Sequence, residues 1–120
     1  VDALVVKPAR VGGPVAALAI ATIAREAGIG VVLSTLLETG VGLLSAMATA
    51  AMLPGGGARG PAAAHGLGTG GGLASDLVGG RSVVRGGVAR VAAGPGLGLA
   101  GMIDASALQR FAVETCGAWS

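Results

Sequence analysis

The chain has 120 residues, of which 52% are hydrophobic, 12% charged and 2% aromatic. Its formal net charge of +2 comes from scattered arginines, so it has neither the basic stripe nor the aromatic stacking platform that nucleic acid binding requires. The mean hydropathy of +0.80 is high, but the apolar runs at 11–24 and 41–53 are each about 14 residues, short of the ~20 that a membrane span needs.

Cysteine usage and the first residues indicate a cellular compartment. The single Cys116 excludes an internal disulfide and fits a reducing environment. The first residues already have the pattern of a strand, with no basic segment or cleavage site of a secretory signal. We therefore expect a cytoplasmic protein without a membrane partner.

The first half of the chain predicts two β–α units in succession. Residues 2–7 form an apolar run without alternation, typical of a strand that is buried on both faces. Gly12 and Gly13 predict a turn, Pro14 suits the first position of a helix over 14–27, and Gly28 ends it.

The second unit begins with a short β-branched strand at 31–33, followed by a loop and a helix that starts at Gly40 or Gly42 and runs to about 53. A Gly/Pro loop at 54–61 leads to a third short strand at 62–65. Strand starts about 28 to 32 residues apart are typical of βαβ units, so residues 1–80 predict an α/β fold with a parallel sheet.

Residues 81–120 differ from this pattern and form a predicted C-terminal tail. An irregular hairpin is expected over 81–91 around Gly86 and Gly87, and a turn at 94–98. Asp104 is a good N-cap for a short helix over 105–115.

Polar side chains stand where the predicted strands end. Lys7, the only lysine in the chain, ends the first strand, and Ser34 and Thr35 end the second. The carboxyl ends of parallel strands share one edge of a sheet, and that edge is where α/β barrel enzymes place their active sites. Lys7 is therefore the candidate catalytic residue.

Three stretches resemble the enolase superfamily, and within its muconate-lactonizing subgroup the o-succinylbenzoate synthases of menaquinone biosynthesis. They are residues 5–13 around Lys7, residues 32–42 around Ser34-Thr35, and residues 65–71, which read His-Gly-Leu-Gly-Thr-Gly-Gly. The resemblance identifies them with the ends of strands six, seven and eight of a modified (β/α)8 barrel. The chain would then be a C-terminal fragment of the enzyme.

The resemblance implies a Mg²⁺-dependent lyase that dehydrates 2-succinyl-6-hydroxy-2,4-cyclohexadiene-1-carboxylate to 2-succinylbenzoate. Mg²⁺ would bind the substrate carboxylate and stabilise the enediolate. Lys7 matches the strand-six lysine, which faces the π system of the intermediate. The strand-two lysine and the metal carboxylates belong to earlier strands, so no metal ligand is predicted here and the fragment alone should be inactive.

The same resemblance assigns substrate contacts to the later strand ends. Ser34 and Thr35 would offer hydroxyl and backbone N–H donors to the succinyl tail of a small carboxylate substrate, and Gly66 and Leu67 would line the eighth strand end, with the Gly66 amide facing a carboxylate. Relatives often carry an acidic residue where Gly68 stands. Glu38 is expected to bond backbone amides near the next helix start.

Other functions stay open at this point. The glycines at 66–71 satisfy the pattern G-x-G-x-x-G. A dinucleotide-binding site would need a helix directly after them and an acidic residue ~20 positions on, and the sequence predicts neither. Within the superfamily, a dipeptide epimerase, an N-acylamino acid racemase or a muconate-type cycloisomerase is the alternative. A second alternative is a non-catalytic barrel segment, and a third is a small membrane-associated helical hairpin. His65 and Cys116 are expected to be structural, and the oligomeric state is not predicted.

Overall fold

A parallel strand pair with a helical crossover forms the centre of the fold. The computed structural model describes residues 1–53, 63–78, 84–91 and 93–113. Strands β1 (Ala3–Val6) and β2 (Gly30–Leu33) pair in parallel, with Ala3 opposite Gly30 and Val6 opposite Leu33. They confirm the first predicted βαβ unit.

Two helices connect these strands, one of which the sequence did not predict. Helix α1 (Pro8–Val11) is a single turn that begins directly after Lys7, and helix α2 (Pro14–Glu26) follows it. Gly12 and Gly13 have φ of 98° and 102°, a conformation that L side chains rarely adopt, and they redirect the chain between the two helices. A single turn is too short to show the apolar repeat of a helix, which is why α1 was missed.

Helix α3 (Gly40–Met52) supplies most of the core. Its buried side chains pack with those of α2 and with one face of the strand pair. The buried hydrophobic cluster consists of Val6, Ala17, Leu33, Leu43, Leu44, Ala46, Met47, Ala50 and Leu67.

The other face of the strand pair is open. Leu4 and Val6 pack toward the core, whereas Val5 is 66% exposed and Ala3 is exposed as well. Because strand side chains alternate between faces, Val5 and its partner Val32 lie on the face opposite the core. The expectation that β1 is buried on both faces is therefore wrong for the described residues.

The third predicted strand is reduced to one bridge. Gly66 pairs in parallel with Ser34, while Ala63 and Ala64 before it are exposed and outside regular structure. The order of the strand ends is as predicted, but the strand itself is not formed at 63–65. Residue 62 and the predicted loop at 54–61 lie outside the described residues.

The remaining described segments are a 3₁₀ turn, a hairpin, one bridge and a short helix. A 3₁₀ turn (Thr69–Gly72) follows Gly66, and the predicted hairpin is confirmed as β3 (Val84–Arg85) and β4 (Val88–Ala89). Val78 forms an antiparallel bridge with Ile103. Helix α4 (Ala105–Phe111) ends before the predicted position 115, and Cys116 lies outside the described residues.

Asp104 caps α4, as predicted. Its carboxylate accepts hydrogen bonds from the backbone N–H groups of Ser106 and Ala107 and from the Ser106 hydroxyl. The Ser106 hydroxyl, followed by the Ala107 amide, lowers the pKa of Asp104 below its ordinary value of 3.8.

In the described segments no helix combines the length and apolar character that crossing a bilayer would take.

A carboxylate distant in sequence caps α3. Both oxygens of Asp76 accept from the Gly40 N–H, at 2.8 and 2.7 Å, and Oδ1 also accepts from the Val78 N–H at 3.3 Å. A Cβ at Gly40 would lie 2.7 Å from the Val78 Cβ, so only glycine permits this approach. Asp76 thus satisfies a helix-start amide that has no partner within the helix.

We expect Asp76→Ala to lower the free energy of unfolding by about 1 to 2 kcal/mol, because it removes this cap. Urea denaturation of the variant measures the loss. Asp2→Ala is the matched control, since it removes the same charge from an exposed residue whose side chain makes no hydrogen bond among the described residues. Equal losses in the two variants would contradict the capping role.

Candidate functional site

Lys7 stands at the carboxyl end of β1 because the next residue stops the strand. Pro8 restricts the residue before it to an extended conformation, and Lys7 has φ −111° and ψ 104°. Its ammonium Nζ donates to the Thr35 carbonyl oxygen at 3.0 Å and lies 3.4 Å from the Ser34 Oγ. The lysine side chain is half-buried and reaches across to the end of β2.

Lys7, Ser34, Thr35, Gly66 and Thr69 form what we call the strand-end cluster. Ser34 is opposite Gly66 in the bridge, and its hydroxyl lies 3.3 Å from the carbonyl oxygens of both Thr35 and Gly66. The structure therefore brings Lys7 together with the polar residues that end the second strand and with the start of the glycine-rich segment. Their contacts with a substrate stay a prediction.

Thr35 is the buried centre of this cluster. It is 1% exposed, its N–H donates to the Gly66 carbonyl oxygen at 3.0 Å, and its hydroxyl donates to the same oxygen at 3.2 Å. The Thr35 and Thr69 hydroxyl oxygens are 2.7 Å apart. The polar hydrogens of Thr35 thus already have protein partners, unlike the free donors expected for a substrate tail.

Gly66 and Leu67 are placed differently from the sequence expectation. The Gly66 N–H donates to the Leu33 carbonyl oxygen at 2.8 Å, so this amide is used in the bridge rather than presented to a carboxylate. The Leu67 N–H donates to the His65 carbonyl oxygen at 3.1 Å, and the Leu67 side chain belongs to the core. Both residues shape the site through the backbone.

His65 has a role that sequence reasoning did not find. Its Nδ1 accepts a hydrogen bond from the Leu33 N–H at 3.1 Å. Because Nδ1 is the acceptor, the ring proton is on Nε2. In a longer third strand, a backbone carbonyl would accept this hydrogen bond from Leu33. The imidazole replaces that carbonyl, so the Leu33 N–H stays bonded although only one bridge is formed on this side of β2. The sequence signal is only that a histidine directly precedes the bridge glycine.

Glu38 closes its own loop instead of bonding the helix start. Its Oε1 accepts from the Leu36 N–H at 3.1 Å, whereas the first amide of α3 is bonded by Asp76. Its Oε2 is buried and has no hydrogen-bond partner among the described residues. The expectation of a backbone amide partner for Glu38 is confirmed, but the amide is not the expected one.

The charge of the cluster is positive. The two hydrogen-bond acceptors that Lys7 has among the described residues are neutral oxygens, so neither cancels the ammonium charge. An ammonium has three donors, which leaves one for an acceptor beyond those two. Within the described ranges, no three histidine, cysteine, aspartate or glutamate side chains come together as a metal site. The described residues therefore do not fit a Mg²⁺ centre, and the cluster is suited to an anion.

Comparison with known proteins gives one family. Residues 1–104 match the model of the family described as "Enolase C-terminal domain-like". The match includes β1, β2, α3 and the whole strand-end cluster. The search of curated proteins returns no match.

We expect His65→Asn to keep the stability of the protein and His65→Gln to lower it by about 1 to 2 kcal/mol, because an unpaired buried N–H is costly. The amide oxygen of asparagine is attached to Cγ, as Nδ1 is, and can accept from the Leu33 N–H. The glutamine oxygen is one bond further out. Urea denaturation and hydrogen exchange at Leu33 measure the difference, and equal behaviour of both variants would refute the acceptor role.

A second prediction concerns Gly66. A Cβ here would lie 2.8 Å from the Ser34 Oγ and 3.2 Å from its Cβ, so Gly66→Ala should displace Ser34 and cost about 1 to 3 kcal/mol. Gly68→Ala is the matched control, because a Cβ there meets nothing within 4 Å. Unfolding free energies measure both, and a neutral Gly66→Ala would disprove the close approach.

Proposed function

The chain belongs to the enolase C-terminal domain-like family, and we propose that it is the part of an o-succinylbenzoate synthase that carries barrel strands six to eight. Members of the superfamily are generally lyases or isomerases and generally use Mg²⁺. The proposed reaction is the dehydration of 2-succinyl-6-hydroxy-2,4-cyclohexadiene-1-carboxylate to 2-succinylbenzoate. The placement of Lys7 is the observation that carries the proposal.

Lys7 has the position that this chemistry needs. It follows Val5 by two residues in extended chain, so it continues the open face of the strand pair and not the core face. In a closed barrel that open face is the interior, and Lys7 then lies at its carboxyl-terminal mouth, where barrel enzymes act. An ammonium with neutral partners and a spare donor suits an anionic substrate.

The proposed role of Lys7 is to stabilise negative charge. Removal of the proton next to the substrate carboxylate leaves an enediolate whose charge spreads over the ring. Loss of the ring hydroxyl, which leaves with a proton as water, then gives the aromatic product. An ammonium fixed against the π face lowers the energy of the anion, and it does so without reorganisation because its acceptors hold it in advance.

The other parts of the machinery are assigned outside the described residues. We propose that the proton-abstracting lysine and the Mg²⁺ ligands come from earlier barrel strands. In this chain Ser34 is the candidate for the second carboxylate of the substrate, because the residue is only half-buried and its hydroxyl has long contacts of 3.3 Å to two carbonyl oxygens, which a carboxylate can replace. The carbonyl oxygens of Thr35 and Gly66 hold this hydroxyl, and Leu67 packs in the core next to Gly66 in the chain.

Lys7→Met in the full-length protein should lower kcat by about 100- to 1,000-fold, the usual cost of removing one electrostatic stabiliser of the transition state. Arg10→Met is the matched control, since it removes one positive charge from an exposed residue of α1. A steady-state dehydration assay measures both variants. Full activity of Lys7→Met would overturn the proposed role.

The same assay tests the substrate. The full-length enzyme should form 2-succinylbenzoate, and the isolated 120-residue chain should not. If the full-length protein racemises N-acylamino acids or epimerises dipeptides and leaves the cyclohexadiene acid unchanged, the synthase proposal is wrong and the racemase alternative takes its place.

A further inference from the structure

We infer that Thr69 is a positioning residue for Lys7 and that it acts through the peptide carbonyl of Thr35. The catalytic consequence rests on the proposed function, whereas the geometric part does not. Thr69 itself makes no contact with Lys7 among the hydrogen bonds of the described residues. Two successive hydrogen bonds carry its effect. The first joins the hydroxyls of Thr69 and Thr35, and in the second the Lys7 ammonium donates to the Thr35 carbonyl oxygen.

A lysine needs such an arrangement to hold one position. Its side chain is a flexible stem of four carbons and loses about 2 kcal/mol of rotamer entropy when it is fixed. The shorter of its two bonds in the strand-end cluster, 3.0 Å, is to the Thr35 carbonyl oxygen, and the longer, 3.4 Å, is to a rotatable serine hydroxyl. The orientation of the Thr35 carbonyl therefore decides where the ammonium lies.

Thr35 is held by contacts other than the one to Lys7. Its N–H and hydroxyl both donate to the Gly66 carbonyl oxygen, and its hydroxyl oxygen is 2.7 Å from that of Thr69. A hydroxyl has one proton, so Thr35 can donate to Gly66 only if Thr69 donates to Thr35. This is the one arrangement in which both contacts are hydrogen bonds, and in it the Thr69 hydroxyl is the donor and the Thr35 hydroxyl oxygen the acceptor.

Thr69 is itself placed by packing outside the cluster. It opens the 3₁₀ turn, whose later glycines lie close to two leucines. A Cβ at Gly70 would be 3.3 Å from the Leu43 Cδ2, and one at Gly72 would be 2.7 Å from the Leu37 Cδ2. The turn therefore sits against α3 and its preceding loop, and Thr69 transmits that position to Thr35.

Chemical modification of Lys7 in the full-length protein tests the geometric part. Reductive methylation with formaldehyde and sodium cyanoborohydride, which reduces the imine formed at the amine, is followed by quantitative mass spectrometry of the peptide that contains Lys7 and gives the rate at this amine. We expect Thr69→Val to raise the rate about fivefold, the equivalent of one hydrogen bond of ordinary strength. Thr69→Ser keeps the hydroxyl and should match the parent.

Thr49→Val is the matched control for this experiment. Thr49 is 1% exposed, more buried than the half-buried Thr69, and its hydroxyl donates to the Ser45 carbonyl oxygen within α3. Its substitution should leave the Lys7 rate unchanged. Melting curves establish that each variant is folded, and Thr69→Ala, which removes the hydroxyl without an added branch, replaces Thr69→Val if that variant is not.

A kinetic measurement separates this inference from the proposed function. Thr69→Val should lower kcat for dehydration about five- to tenfold with KM within twofold of the parent, and Thr69→Ser should restore it. An unchanged modification rate in Thr69→Val, or an equal rise in Thr49→Val, overturns the inference. A rise specific to Thr69→Val in a protein without dehydratase activity supports the positioning role and removes the proposed function.

Discussion

The parallel register of β1 and β2 is the constraint on which the rest of the structure depends. Pairing Val6 with Leu33 puts both in the core and places Lys7 and Ser34 on the opposite face, one step beyond the last strand pair. Strand side chains alternate, so a slip of one residue would direct the ammonium toward the apolar cluster and expose Leu33. The hydrophobic core therefore selects the register, and the register places the candidate catalytic group.

The polar cluster contributes to the fold as well as to the site. Thr35 and Thr49 are the buried polar side chains among the described residues, and each has its hydroxyl bonded. Buried polar groups cost free energy unless they are paired. The bonds that pair Thr35 also continue the sheet, through Gly66, beyond the last residue of β2. Stability and the proposed function thus depend on the same few hydrogen bonds, and we expect substitutions in the cluster to affect both.

The sequence could predict what depends on local pattern. Apolar runs, glycine stops and the lysine at a strand end indicated a βαβ unit and the edge where Lys7 and Ser34 meet. It could not predict bonds between a side chain and a distant backbone group. The imidazole of His65 bonds an amide 32 residues away, and Asp76 caps a helix 36 residues earlier, and neither has a periodic signal. An apolar run also does not say whether the residues that cover a face belong to the same segment, and within the described residues one face of β1 is uncovered.

Among the described residues, the hydrogen bonds of Lys7 join it to the end of β2. The ammonium is oriented by the end of β2, and β2 is held by Gly66 and by the ring of His65. None of these bonds needs the open face, where Val5 stays exposed, to be covered. If further strands close over that face, they meet a cation already fixed in place. Under the proposed function, electrostatic preorganisation is then a property of this segment, and the covering strands supply the base, the metal ligands and the exclusion of water.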